Sequence, residues 1–164
     1  MTFEEYQKEA VSFRTDTANN EEYLTLGLIA EVGEAAGKLA KRRRDGVFDE
    51  RAFIKELGDI LWFVANLADY YDREYDKNIS EDLDDCFNVE LDCDRFDDDI
   101  TKLLVYWVAL LLDGDTDQLE YIVIEVGSLA KKRNYTLEQV AEINIAKLRD
   151  RAARGVIKGN GDER

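Results

Sequence analysis

The chain has 164 residues, 37 of them acidic and 22 basic, for a formal charge of −15. That length suits one domain with its own apolar core, and the acidity argues against general nucleic-acid or anionic-membrane binding. Histidine is absent, which excludes an imidazole base, Ser/His and Cys/His nucleophile pairs, His-ligated zinc or haem and the Glu-x-x-His di-iron site.

Proline is absent too, and the apolar residues recur at helix period throughout. The first helix opens at Thr2 with Glu5 three places on, a capping-box pattern, and sets Phe3, Tyr6, Ala10 and Phe13 on one face. "RTDTANN" breaks it. A second helix is predicted from Glu21 to Arg44, ended by the Asp45-Gly46 turn signal, with Lys41 to Arg44 matching the negative end of the helix dipole. A third runs from Asp49 to Tyr71, its stripe made by Phe53, Leu57, Ile60, Leu61, Val64 and Leu67. Only "DGVFD" separates the second and third helices, so they should lie antiparallel.

From Asp72 to Asp99 the chain carries 13 acidic and 3 basic residues. This stretch is predicted to be a solvated loop with one short helix. It lacks the glycine and register of a calcium-binding EF-hand loop. Its two cysteines, Cys86 and Cys93, are too few for a zinc site, and with no secretory signal the expectation is a soluble, reduced, cytoplasmic protein. Two further helices are expected at Ile100–Leu112 and Asp117–Arg133. The run "LLVYWVALLL" within the former is about half of the roughly 20 residues that a membrane span requires. The last helix opens on a Thr136/Gln139 capping box and ends in the glycine-rich "GVIKGNGDER", which lacks the Gly-Lys-Ser/Thr of a P-loop. A faint repeat relates 57–68 to 119–130, with Tyr121 standing where Asp59 would be.

The chemistry concentrates on the second and third helices. Glu31 and Glu34 are three residues apart and leave one side of a helix together. Glu56 and Asp59 repeat the spacing on the next helix. Antiparallel pairing brings the four carboxylates together, where mutual repulsion and desolvation oppose their ionisation. A divalent cation removes that conflict, and an all-oxygen donor set points to Mg²⁺ or Mn²⁺. The small residues Gly33, Ala35 and Gly58 are expected to let the backbones approach.

The order E-x-x-E, about 21 residues, E-x-x-D on consecutive helices resembles the MazG-like all-α nucleoside triphosphate pyrophosphohydrolases, relatives of the dCTP pyrophosphatases and dimeric dUTPases. "LGLIAEVGEAAGKLAKRRRDG", "KELGDILWFVANLA", "YQKEAVSFRT" and "TLEQVAEINIAKLRDRAARGVIKGNGDER" carry the likeness, about two-thirds of the chain. The resemblance implies an all-α helical bundle in a single domain over 1–164, with an acidic helical insertion at about 72–127. It implies hydrolysis of (d)NTPs to the monophosphate and pyrophosphate, with Mg²⁺, or Mn²⁺, held by Glu31, Glu34, Glu56 and Asp59. Relatives often carry a glutamate at the place of Ala30 as a candidate base, so Glu34 is left to accept the water's proton. Asn144, Lys147 and Arg151 match the family's N-x-x-K-L-x-x-R run and are the phosphate-binding candidates, with Lys38 a further one. Phe63 would border a base pocket, whereas Trp62 is expected in the core. A homodimer or higher homo-oligomer is implied as well. The reading from a different class is a non-catalytic helical interaction module that keeps the fold and binds a partner through the acidic insertion.

Overall fold

The computed structural model describes residues 1–87 and 94–156. Cys93 and the end of the glycine-rich tail lie outside the described residues. Seven helices and no strand are found among those described: α1 (Phe3–Ser12), α2 (Glu21–Asp45), α3 (Glu50–Tyr75), α4 (Ile79–Cys86), α5 (Asp97–Leu112), α6 (Gln118–Lys131) and α7 (Leu137–Ala153). Among the described residues no helix is long and apolar enough to cross a membrane.

Local chemistry sets the ends. The capping boxes at Thr2/Glu5 and Thr136/Gln139 both form. Asn20 and Asp49 accept from the backbone N–H of Tyr23 and Ala52 at the starts of α2 and α3. Gly46 ends α2 at φ 71°, left-handed backbone that a side chain would strain.

α2 and α3 form an antiparallel hairpin. Tyr71, late in α3, donates to Glu21 at the start of α2, and Glu56, early in α3, pairs with Lys38 late in α2. α3 is the central helix, with Phe53, Leu57, Ile60, Leu61, Val64 and Leu67 all fully buried. A second hairpin, α5–α6, packs α6 on another side of α3, with Trp107 stacked on Tyr121 at 4.6 Å. The two repeat segments fall on α3 and α6. α1 and α7 lie across α3 and against each other.

The acidic stretch is less solvated than its composition suggests. Ile79, Leu83 and Cys86 of α4 enter the core. Asp72 accepts from the backbone N–H of Ile79 and Ser80, capping α4, and Asp84 accepts from those of Phe3 and Glu4, capping α1. α5 begins three residues before the predicted start. Asp97 to Asp99 supply the negative charge that a helix N-terminus favours, and Asp97 is pinned by Arg133 at 2.7 Å. Ile100, Leu104, Val108 and Leu111 bury one side of α5, while Val105, Tyr106 and Leu112 remain about half exposed.

Candidate metal centre

α2 contributes Glu31, Glu34 and Lys38; α3 contributes Glu56 and Asp59; α7 contributes Asn144, Lys147 and Arg151. One carboxylate oxygen each from Glu31, Glu56 and Asp59 lie within 4.8 Å of one another. Oxygen ligands bind Mg²⁺ at roughly 2.0–2.1 Å and Ca²⁺ at roughly 2.3–2.6 Å, so three oxygens this close suit a single hard divalent ion. Glu34 is exposed and outside this trio, although its charge is felt at Glu31.

The carboxylates of the trio act on one another. Burial, then the charges of Asp59, Glu34 and Glu56, push the Glu31 carboxyl up to about 8, opposed by Lys147. Glu56 is 1% exposed and held by Lys38 at 2.7 Å. Asp59 is gripped at both oxygens from α7. Lys147 Nζ donates to Oδ2 at 2.5 Å, and Asn144 Nδ2 donates to Oδ1 at 3.0 Å. Lys38 and Lys147 thus each face one carboxylate of the trio.

α7 reaches Asp59 because α3 has a glycine facing it. A Cβ at Gly58 would stand 2.9 Å from Asn144 Cβ, closer than side-chain carbons pack. Gly58 makes room for α7, not for α2 as the helix-pair reading expects. Gly33 faces open space and plays no such part, because its side of α2 points away from α3. The close approach between α2 and α3 occurs at Gly27, where a Cβ would lie 2.1 Å from the Phe63 ring. A Gly58→Ala substitution should therefore push α7 from α3 and break the Asn144–Asp59 bond. The expected cost is about 1–3 kcal/mol from overpacking, seen as a lower melting temperature. An unchanged melting temperature would contradict this packing.

Phe63 is 7% exposed, with Trp62 edge-on at 4.9 Å and the half-exposed Tyr23 at 6.0 Å. Trp62 is partly buried and donates its indole N–H to Ala10 O. Arg151 lies one turn beyond Lys147, partly buried. Tyr6 enters the sequence reading only as a core position of the first helix. It is fully buried, and its hydroxyl donates to Asn144 Oδ1 at 3.0 Å. No local pattern links residues 138 positions apart.

Residues 19–88 match the family described as the MazG nucleotide pyrophosphohydrolase domain. The match includes Glu31, Glu34, Glu56 and Asp59 and extends through α4, overlapping the first part of the stretch expected as an insertion. Gene 37 protein of Mycobacterium phage L5 is 40% identical over 62 residues, which cover 35% of this chain and 54% of the phage protein. The chain thus spans about half the length of that curated relative. No solved structure matches.

Proposed function

We propose, from the match of residues 19–88 to the MazG nucleotide pyrophosphohydrolase domain, that the protein is an Mg²⁺-dependent nucleoside triphosphate pyrophosphohydrolase. Its substrates would be (d)NTPs, cleaved to the monophosphate and pyrophosphate. The observation that carries the reading is the convergence of Glu31, Glu56 and Asp59 from two antiparallel helices, with lysines at both flanks. A divalent ion held by these carboxylates would polarise a phosphoryl group and ease deprotonation of a water.

The chain's own groups do the rest. Lys147 and Arg151 on α7, with Lys38 on α2, hold the phosphate oxygens and offset the charge that develops on the leaving pyrophosphate. Glu34, exposed beside the trio, accepts the proton of the attacking water. Phe63 and its neighbour Tyr23 border the base. Mn²⁺ would suit the same oxygen donors. The test is pyrophosphate release from a panel of dNTPs and NTPs, with Mg²⁺ and with a chelator. No release from any of them would remove the proposal.

The proposed protein is a cytoplasmic single domain with an insertion at about 72–127, and it forms a homodimer or higher homo-oligomer. The half-exposed Val105, Tyr106 and Leu112 of α5 are the apolar residues proposed for that contact. Light scattering at micromolar concentration should give at least about twice the 18.9 kDa chain mass; a monomer would overturn the assembly. The same surface favours the second reading, a non-catalytic interaction module, which the pyrophosphate assay separates from the first.

A further inference from the structure

Asp59 does not choose its orientation alone. One of its oxygens accepts from Asn144 Nδ2, and the Asn144 carbonyl accepts from the Tyr6 hydroxyl, both at 3.0 Å. Asn144 is 1% exposed and Tyr6 is fully buried, so water does not compete at the link between them. The direction of the chain is forced. An amide has a donor end and an acceptor end, and a carboxylate at Asp59 accepts only, so the NH₂ must face it. The carbonyl is then turned to Tyr6, which can satisfy it only by donating. Tyr6 is the sole member of this chain on α1, outside the stretch that matches the family.

We propose that Tyr6 is a positioning residue for the metal centre: it fixes the Asn144 amide so that Asp59 presents a set carboxylate edge to the ion. The inference rests on the metal-site reading above. Without the phenolic O–H, the buried Asn144 carbonyl loses its donor. The amide then gains by rotating toward any other partner, which breaks its bond to Asp59. Partners that orient a metal ligand are commonly worth about 10–100-fold in metal affinity.

The contact is also structural, so the test must separate ligand orientation from packing. Tyr6→Phe keeps the ring and removes one oxygen. Mn²⁺ binding to the full chain without nucleotide, measured by calorimetry and by Mn²⁺ paramagnetic resonance, should weaken by at least about tenfold. The melting temperature in chelator reports packing separately. Asn144→Ala cuts the chain at its middle link, so adding Tyr6→Phe to it should have no further effect on Mn²⁺ affinity. This second background also keeps the idea testable if Tyr6→Phe alone lowers stability. Mn²⁺ affinity within twofold of wild type in Tyr6→Phe, or effects that add in the double variant, would overturn the relay while leaving the site. A wild-type chain that binds no Mn²⁺ would instead remove the metal-site reading on which it rests.

Discussion

Glu31→Gln and Asp59→Asn should each abolish metal-dependent turnover without unfolding the bundle. Each removes one of three clustered carboxylates while keeping shape. The loss should be at least about a hundredfold, beyond the roughly 10–100-fold usual when only a ligand's supporting partner is removed. Stability should move the other way for Glu31→Gln. In the folded, metal-free chain Glu31 sits at about 8 against an ordinary 4.5, so folding disfavours its ionised form. The sign follows: between pH 4.5 and 8 the folded state holds a proton that the unfolded state has released, and stability falls as pH rises through that window. Gln removes the penalty, which should stabilise the metal-free protein by about 1–3 kcal/mol at pH 8, allowing for solvent at a partly exposed group. Metal binding must expel that proton, so the wild-type affinity should rise about tenfold per pH unit up to pH 8 and then level. Melting curves in chelator across pH and Mn²⁺ titrations at pH 6.5 and 8.5 check both halves. Full activity in either variant would end the assignment.

Lys147→Ala should weaken every nucleotide by a similar factor. The ammonium sits on Asp59 at the edge of the trio, where phosphate, common to all substrates, would replace the carboxylate as its partner. A charge-assisted contact of this type is worth roughly 1.5–3 kcal/mol, or about ten- to a hundredfold. If the contact tightens only as charge develops on pyrophosphate, the loss falls on kcat instead of KM. Changes at Phe63 should alter the ranking among bases. Measuring kcat/KM for four dNTPs in both variants separates the roles. A Lys147→Ala enzyme that reorders the bases at undiminished efficiency would refute the phosphate role.

The fold was legible where side chains act on their own backbone. Thr2, Thr136 and Gly46 mark helix ends through contacts spanning three or four residues, which a linear reading can see. Glu31 and Asp59 could be paired in advance because a short turn forces α2 and α3 antiparallel. The acidic tract misled because composition counts charges without their partners. Asp72 and Asp84 are spent on helix caps, and Asp97 on Arg133. Gly33 and Gly27 both suit close approach by composition, and only the rotation of α2 decides which one meets α3. Tyr6 was out of reach for a different reason: its role arises from how α1 and α7 cross α3.

The two hairpins divide the work unequally. α3 turns Glu56 and Asp59 toward α2 and α7, whereas the matching places on α6 hold Gln118 and Tyr121. The α5–α6 hairpin therefore brings no ligand to the trio; it packs on α3 and puts fully buried residues such as Leu119 and Val123 into the core. Lesions on that side should act on how many molecules are folded, not on how fast each one works. Val123→Ala, for example, should lower the melting temperature and the yield of protein, while the rate per folded molecule, counted by active-site titration, stays at the wild-type value.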